Sequence, residues 1–570
     1  MRFFTFCKYQ YVKQLWYIFS YREKSKKGGV NIRKLAFING EVITVNPQGD
    51  VFEACLVEGN RISKVGTTEE IKKLLNIKTE IIDLKGKTVL PGLIDAHMHL
   101  YLYGISLLNL NCKNPGITSV KELLGEIKKV VSEKAKGEVI RVFGFNELMV
   151  KEQRYPTIQE LDELTTEHTI IITRTCGHIG VVNTAALQLA GINHDTIDPH
   201  GGTIEKDGYG RLTGRLIENA FLEFNQYVPY SEEELYNALE KAQEQLLSYG
   251  ITSVHDAGGF DENSFRVMQQ ASQADQLKLR VYAMIGSLNN CETFTKNMIA
   301  SGIVTNTGND SFKIGPAKLF TDGSSTGPTI ATREPYTSDS ENYGYLQYSE
   351  DELYKIFSPA HKKGYQLTVH AQGDKAIEQY LNVIERLQEL HPRQDHRHRV
   401  EHLGVCPPDL QQRVRDLGLI PVLNPPFPFE FGESYLRNYG GRTDYMYAAK
   451  QLIDLGVVVT AGSDAPITTA NPFVGMFMAV ERITKGGTPF GQVQRVTLLD
   501  VIRMYTINAA YASRDEKIKG SIEVGKLADL AILNKSILNC PTEELLDVEV
   551  EMTVLNGEFV YSKHSCEVNI

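Results

Sequence analysis

Short apolar runs that alternate with polar positions mark both ends of the chain as β-rich. Near the amino end these runs are joined by Asn39-Gly40 and Gly59-Asn60, and near the carboxyl end by Asn556-Gly557. Asn-Gly between alternating apolar runs is the strongest short-range hairpin signal. Each end is too small to bury a core by itself. We therefore expect residues 33–90 and 515–570 to form one discontinuous small β-sandwich.

The middle of the chain alternates apolar strand candidates with helical stretches, a pattern typical of a parallel sheet covered by helices. The eight candidates are residues 88–99, 250–257, 279–286, 312–320, 365–371, 398–403, 417–424 and 456–464. Eight parallel strands are the number that closes a (β/α)8 barrel. The predicted fold class is α/β, with a (β/α)8 TIM-like barrel over residues 91–514 beside the sandwich.

The interval between the first and second candidate strands is far longer than the ~30 residues of one strand–helix–strand unit. We therefore expect an inserted α+β domain at about 110–248. Its helical run at 231–250 would return the chain to the barrel. Its Gly-rich stretch, 200–216, has no following Lys-Ser/Thr and no strand-to-helix context, so it predicts tight β-hairpins and not a phosphate loop.

Composition narrows the function classes only slightly. The formal net charge of −10 argues against a nucleic-acid surface, because phosphate binding requires an excess of Lys and Arg. The eight cysteines form no C-x-x-C pair, which fits a reducing cytoplasm. No uncharged apolar stretch reaches the ~18 residues of a membrane span, so stable membrane insertion is not expected.

Residues 1–32 precede the recognisable pattern and are rich in aromatic and basic side chains. They lack the apolar core and cleavage site of a signal peptide. Our preferred interpretation is an upstream extension from a misplaced start codon, disordered or loosely docked. A basic-aromatic anchor at a membrane surface is the alternative.

The sharpest chemical signal is the pair His97 and His99 at the end of the first barrel-strand candidate. Side chains at i and i+2 of a strand point to the same face, so two imidazoles can converge on one metal ion. By itself an H-x-H pair is weak evidence, since it occurs by chance in many strands.

Three more residues strengthen the interpretation of a metal site. His370, His402 and Asp464 each lie at the carboxyl end of a candidate barrel strand. Enzymes on this fold place their catalytic groups at that end. Imidazole-rich ligation favours Zn²⁺, one or two ions, with manganese and iron as alternatives.

Four histidines and one aspartate at these positions resemble the ligand set of the amidohydrolase superfamily. The sequence is most similar to its amidohydrolase-3 group, which includes N-substituted formamide deformylases. The similarity extends from about residue 33 to 560 and rests on LPGLIDAHMH, GHIGVVNTAALQLAGI, GGTIEKDGYGRLTGRLIENA, GITSVHDA, KLFTDGSSTGPTIATREPY, TVHAQGDKAI, VEHL, GSDAPITTANPF, YTINAAYAS and KGSIEVGKLADLAIL. The resemblance implies a metal-dependent hydrolase with His97, His99, His370, His402 and Asp464 as metal ligands.

The resemblance also draws attention to Lys318, which ends the fourth strand candidate. Related amidohydrolases carry a carboxylated lysine there, and a carbamate can bridge two divalent cations whereas an ammonium group would repel them. The alternative is a plain ion pair between Lys318 and Asp322 or Asp374.

Three further residues are candidates for substrate binding. His178 lies in the insertion, His255 ends the second strand candidate, and Arg442 follows the seventh. Each has a structural alternative: a structural histidine, a core histidine and a solvent-facing arginine. The polar run HPRQDHRHR is interpreted as solvated surface, with His391, His396 and His398 in it.

The sequence thus predicts metal-activated hydrolysis of a non-peptide C–N bond, of amide or formamide type, in a small molecule. Asp464 is the predicted catalytic residue, a general base and then a general acid. The alternatives are a deaminase, deacetylase or lactonase of the same superfamily, or a catalytically silent regulatory protein on the same fold. The expected partner is a small-molecule substrate, and a homodimer remains open.

Overall fold

The part of the chain that the structure describes forms four β-sheets. The structure, a computed structural model of the 570-residue chain, describes residues 33–112, 117–175, 177, 179–199 and 201–563. The strands are β1 (Lys34–Ile38), β2 (Glu41–Ile43), β3 (Val51–Phe52), β4 (Ala54–Glu58), β5 (Arg61–Gly66), β6 (Thr79–Asp83), β7 (Thr88–Pro91), β8 (Leu93–Met98), β9 (Leu110–Asn111), β10 (Val139–Phe145), β11 (Thr169–Arg174), β12 (Ile179–Val182), β13 (Gly202–Lys206), β14 (Leu212–Glu218), β15 (Ile251–Asp256), β16 (Arg280–Ile285), β17 (Phe312–Phe320), β18 (Leu367–Ala371), β19 (Arg399–His402), β20 (Ile420–Leu423), β21 (Thr460–Ala461), β22 (Leu530–Leu533), β23 (Val550–Leu555) and β24 (Glu558–Ser562).

Helices connect most of these strands. The α-helices of the described residues span Thr68–Lys72, Leu100–Leu108, Val120–Glu133, Ile158–Asp162, Thr184–Leu189, Asn219–Phe224, Glu232–Ser248, Glu262–Gln273, Cys291–Ser301, Glu350–Lys362, Asp374–Leu390, Pro408–Asp416, Pro426–Tyr439, Ala449–Asp454, Pro472–Glu481, Leu498–Met504 and Ile507–Ala512. Short 3-10 helices lie at Asn225–Tyr227, Gly440–Tyr445, Gln492–Gln494 and Thr542–Asp547. Within the described part of the chain, no helix has the length and apolarity needed to cross a membrane.

Eight parallel strands form the central barrel, in the order β8, β15, β16, β17, β18, β19, β20 and β21. The last strand meets the first where the Asp464 amide donates to the His97 carbonyl oxygen at 2.7 Å. Gly462 allows this approach, because a Cβ there would lie 2.4 Å from the His97 nitrogen. The predicted TIM-like barrel is confirmed, and the carboxyl ends of its strands share one mouth.

The first strand candidate, 88–99, divides into two strands at Gly92. β7 belongs to the sandwich, whereas β8 is the first barrel strand. The hydrogen bonds change partner at this point, from Gly92 N to Asp529 O and from Leu93 N to Gly250 O. The sequence shows one continuous apolar run because both strands are buried.

The two ends of the chain form the sandwich, and its discontinuous character is confirmed. β22 pairs with β7, and β23 and β24 extend the same sheet, while β1, β4, β5 and β6 form the facing one. Phe37 and Val42 share a buried core with Leu530 and Ile532. A buried ion pair ties this unit to the barrel: Arg280, at the start of β16, donates to Asp529 at 2.7 and 2.9 Å.

An inserted α+β unit lies between the first and second barrel strands. Its sheet has the order β13, β14, β12, β11, β10 and β9. The Gly-rich stretch forms the antiparallel β13–β14 hairpin that the sequence predicts. The helix Glu232–Ser248 then leads back to the barrel, beginning with a capping box between Ser231 and Glu234.

The interpretation of the polar run around residue 396 as solvated surface is wrong. His398 is fully buried and His396 is 6% exposed, while His391 is half-buried. The Leu367 amide donates to His398 Nδ1 at 2.9 Å, and His361 Nδ1 lies 3.0 Å from His398 Nε2. His396 and His398 turn inward, where their imidazoles satisfy backbone and side-chain groups that would otherwise be buried without a partner, while Pro392, Gln394 and Asp395 stay exposed.

Candidate active site

The predicted ligands lie at the carboxyl ends of four barrel strands. His97 is the penultimate residue of β8 and His99 follows that strand, while His370 lies in β18. His402 ends β19, and Asp464 comes three residues after β21. All five are therefore placed at the barrel mouth.

The backbone turns at two of these residues. His402 has φ 71° and Asp464 has φ 58°, both in the left-handed region that non-glycine residues rarely adopt. In an extended strand, Glu401 and His402 would point to opposite faces. The turn at His402 breaks this alternation, and both side chains lie beside His97. Such strain is concentrated at functional sites.

The five side chains form one continuous group. Ring centroids are 4.6 Å apart for His97 and His402, 4.5 Å for His370 and His402, and 5.8 Å for His97 and His99. Asp464 Oδ1 lies 3.4 Å from His97 Nε2 and 3.5 Å from His99 Nε2. Ligand atoms of His97, His402 and Asp464 all lie within 4.8 Å of one another.

Neighbouring oxygens determine which nitrogen of each imidazole carries the proton. Nδ1 donates to Glu401 Oε2 at 2.6 Å in His97, and to the Gly258 carbonyl at 3.0 Å in His99. In His402, Nδ1 donates to Asn424 Oδ1 at 2.8 Å, and the amide of Asn424 itself donates to the Gly462 carbonyl. These three rings therefore present an unprotonated Nε2.

In His370 the other ring nitrogen, Nε2, is the donor. Its Nε2 donates to the Gly323 carbonyl at 2.8 Å, so Nδ1 is its unprotonated nitrogen. An oxygen acceptor on one ring nitrogen is the usual arrangement around a metal-ligating histidine, because it fixes the tautomer and the ring orientation.

Burial keeps the imidazoles of His97, His99 and His402 neutral. It lowers the pKa of His97 and of His402 well below the usual range, with nearby cationic groups adding to the effect. The pKa of His99 is lowered to about 3, also mainly by burial. A neutral imidazole is the form that can donate a lone pair to a metal ion.

The residues present fit a divalent cation. The buried Nε2 of His97 has no hydrogen-bond partner among the described residues. A buried polar nitrogen without a partner is costly in a protein interior, and coordination would satisfy it. Neutral imidazoles together with a carboxylate are the donors that zinc and similar ions prefer.

Lys318 lies close to this group but is not paired with either predicted aspartate. Its Nζ is fully buried, donates to the Ala257 carbonyl at 3.0 Å and lies 4.7 Å from the Phe320 ring centre. Burial lowers the pKa of Lys318. Asp322 instead accepts from backbone amides, those of Ala331, Gln372 and Gly373. Asp374 likewise accepts from the Arg333 and Lys375 amides.

The three predicted substrate-binding residues have different positions. His178 lies outside the described residues. His255 is fully buried inside the barrel, where its Nδ1 accepts from Arg399 at 2.9 Å. Arg442 is 8% exposed and donates to the carbonyl groups of Tyr439, Glu334 and Pro335. For His255 these contacts support the alternative of a core histidine. The alternative of a solvent-facing arginine is wrong for Arg442, because its guanidinium is buried and bound to backbone carbonyl groups.

Three polar residues around the predicted ligands are not apparent from the sequence pattern. Glu401, Arg399 and Asn424 are all fully buried and contact ligands directly or through one another. One signal was available, since Arg399 and Glu401 are two apart on a strand and so share its inward face. Two charged residues on the inward face of a barrel strand are unusual, because Arg and Glu are rarely fully buried.

The comparisons with known proteins agree with this geometry. The model of the amidohydrolase family (Amidohydro_3) matches residues 80–561. The chain belongs to the amidohydrolase family. It is 31% identical to an N-substituted formamide deformylase of Arthrobacter pascens, over 93% of this chain and 99% of that protein. It is 30% identical to a putative amidohydrolase of Bacillus subtilis, over 93% of this chain and the whole of that protein.

Solved structures give the same result for the fold. An uncharacterised metal-dependent hydrolase from Pyrococcus horikoshii superposes with a TM-score of 0.75 at 26% identity, covering 90% of this chain and 99% of that one. A zinc-bound adenosine deaminase from Xanthomonas campestris shares the fold alone, at 13% identity and a TM-score of 0.51. The protein is thus a metal-dependent amidohydrolase, a hydrolase of C–N bonds.

Proposed function

We propose that this amidohydrolase cleaves the C–N bond of a small amide, with N-formyl amines as the preferred class. Its predicted ligands His97, His99, His370, His402 and Asp464 would hold a divalent cation, for which Zn²⁺ is the first choice. The formamide preference is supported by the Arthrobacter pascens relative, which carries that activity in its name.

The proposed chemistry assigns a proton-transfer role to Asp464. When bound, a divalent cation polarises the substrate carbonyl and makes a water molecule acidic near neutral pH. Asp464 accepts a proton from the attacking water at a carboxylate oxygen. The water oxygen bonds to the carbonyl carbon, the C–N bond breaks, and Asp464 donates the proton to the leaving nitrogen. Atoms balance with water as the only co-reactant.

One observation carries the metal-site part of this proposal. His97, His402 and Asp464 bring ligand atoms within 4.8 Å of one another, and the two imidazoles present unprotonated nitrogens. If these residues were only polar side chains at strand ends, with no metal to bind, we would expect them to form hydrogen bonds with one another. The buried, unsatisfied Nε2 of His97 favours a cation instead.

The test uses the zinc-loaded full chain and one set of primary amines in N-formyl and N-acetyl form, together with a lactone and an amino-heterocycle. We expect amine release from the N-formyl compounds to be fastest, and to stop when a chelator removes the metal. Turnover confined to the lactone or to the amino-heterocycle would assign the chain to the other chemistries of the family. Zinc binding without turnover of any amide would contradict the proposed reaction.

We also propose that Lys318 carries a carbamate, whose oxygens would serve as ligands if two cations were bound. Its burial favours the neutral amine, and a neutral amine adds to CO₂ with loss of one proton. Protein exchanged into ¹³C-bicarbonate should give a carbamate carbon resonance that Lys318→Met abolishes. An unlabelled wild-type spectrum, with full metal loading, would rule the carbamate out.

A further inference from the structure

Behind the histidine cluster, the barrel interior contains an ion pair that the proposed chemistry does not use. Arg399 and Glu401 lie on the inward face of β19, and both are fully buried. Arg399 Nε and Nη2 donate to the two carboxylate oxygens of Glu401, each at 2.8 Å. The interior of such a barrel is usually filled by branched apolar side chains, so this pair needs an explanation.

Glu401 connects the pair to a predicted metal ligand. Its Oε2 accepts from His97 Nδ1 at 2.6 Å, and its Oε1 accepts from Thr368 Oγ1 at 2.5 Å. The two donors of Arg399 and the hydroxyl of Thr368 surround the remaining lone pairs of this carboxylate. Glu401 therefore faces His97 only as a hydrogen-bond acceptor.

Arg399 extends the network across the barrel. Its Nη2 donates to the Ala96 carbonyl at 2.7 Å, in the strand that carries His97. Its Nη1 donates to His255 Nδ1 at 2.9 Å, in the second barrel strand. The guanidinium thus fixes Glu401 on one side and the backbone beside His97 on the other.

Stability alone is a weak reason to keep such a pair. Removing two charges from water costs several kcal/mol per ion, and apolar replacements of a buried pair are often neutral or stabilising. A hydrogen-bonded carboxylate behind a metal-ligating imidazole, in contrast, orients the ring and makes it a stronger donor. The distances around His97 have this form.

We propose that Glu401 and Arg399 are positioning residues for the metal centre, which together set the tautomer, orientation and basicity of His97. The proposal rests on the metal site of the proposed function. Glu401 holds the Nδ1 proton, so that Nε2 points toward the cation, and Arg399 holds Glu401. The pair acts on metal affinity and not on the substrate.

The test measures Zn²⁺ affinity of the full chain by competition with a chelator, for wild type, Glu401→Gln and Thr368→Val. Thr368→Val is the matched control, because it removes a hydrogen bond to the same carboxylate without touching His97. We expect Glu401→Gln to bind zinc about 10–100-fold more weakly, the usual effect of losing such a partner. Thr368→Val should remain within about threefold of wild type. Melting temperature in the presence and absence of zinc provides the second measurement, and the zinc-induced rise should shrink only in Glu401→Gln.

The double variant Arg399→Met/Glu401→Gln covers the case in which an unpaired buried arginine prevents folding of the single variant. It removes both charges, so no uncompensated ion is left in the interior. We expect the same loss of zinc affinity. If either Glu401 variant bound zinc as tightly as wild type while its metal-free melting temperature fell, the ion pair would have a structural role only. That result would overturn the proposal. A wild-type protein that binds no zinc would instead overturn the proposed function.

Discussion

The chemistry at the barrel mouth depends, residue by residue, on which nitrogen of each imidazole carries a proton. Glu401, Gly258 and Asn424 accept the Nδ1 protons of three rings, and Gly323 accepts the Nε2 proton of the fourth. Asp464 Oδ1 then lies 3.4 Å from His97 Nε2. Among the predicted ligands, Asp464 is the only acidic side chain.

Replacing this carboxylate should remove the proton transfer and leave the fold intact. Asp464→Asn keeps the shape of the side chain but cannot accept a proton from water. We expect kcat to fall by at least ~10²-fold, the low end of general acid–base contributions, with most of the bound metal retained. Asp454→Asn, the same change at an exposed helix end, serves as the control in the kinetic assay. Near-wild-type turnover by Asp464→Asn would remove this residue from the mechanism.

The positions of the predicted ligands could be read from the sequence, because His97, His370 and His402 each lie at the carboxyl end of a strand candidate. The residues that orient them could not. Glu401 is adjacent to His402, and the left-handed turn that brings both into the site leaves no mark in the hydrophobic pattern. Arg399 and His255 meet only across the barrel, through contacts between strands far apart in sequence.

At the scale of elements, the barrel closes where the last strand meets the first. β21 has only two residues, and the chain after it approaches β8 so closely that a side chain at Gly462 would collide with the His97 backbone. The sequence predicted a longer strand at 456–464. The apolar run is present, but only Thr460 and Ala461 pair as a strand with β20.

Gly462→Ala should therefore disturb both stability and metal binding. The added methyl group would lie 2.4 Å from the His97 nitrogen, so the first strand must move. We expect the free energy of unfolding to fall by about 1–3 kcal/mol, as for other overpacked sites. Gly125→Ala is the control, an exposed helical glycine with open space around it, and should raise stability by up to about 1 kcal/mol. Denaturant unfolding and zinc titration of both variants check this, and equal behaviour would contradict it.

Three buried histidines, one of them in the helix Glu350–Lys362, should make stability depend on pH. Burial lowers the pKa of His361, His396 and His398, to about 4 for His396. The unfolded chain takes up these protons near pH 6.5, before the folded one does, so stability is full above pH 6.5 and falls as the pH decreases toward 4.

His396 alone should remove about 2 kcal/mol of the unfolding free energy of the metal-free protein between pH 7 and 5. Denaturant midpoints at the two pH values measure the change. His396→Gln cannot titrate in this range, so its difference between pH 7 and 5 should be smaller by that amount. An identical pH dependence in the variant would exclude His396 as a source.

At the scale of the whole molecule, the sandwich joins the two ends of the chain and is fixed to the base of the barrel. Arg280 and Asp529 are both about 5% exposed and connect β16 to the segment that precedes β22. The hydrophobic pattern could predict this unit, because both ends carry hairpin signals. It could not predict where the first strand run divides, since every residue of both β7 and β8 is buried.

Deleting residues 1–30 should leave melting temperature and turnover close to wild type. The sandwich core begins with β1 at Lys34, and Arg33 already pairs with Glu80 at 2.9 Å. A deletion extended through Ile38 is the contrasting variant. It removes β1 and the buried Phe37, and should lower the melting temperature sharply. A large loss in the shorter deletion would mean that the extension is part of the fold.

The central claim is that a divalent cation binds between the first, sixth and eighth barrel strands. An anomalous difference map from crystals of the zinc-loaded enzyme, recorded at the zinc absorption edge, tests it most directly. We predict a peak at ~2.0–2.1 Å from Nε2 of both His97 and His402, within reach of Asp464. A map without a peak at this place, or with zinc only at other residues, would contradict the account.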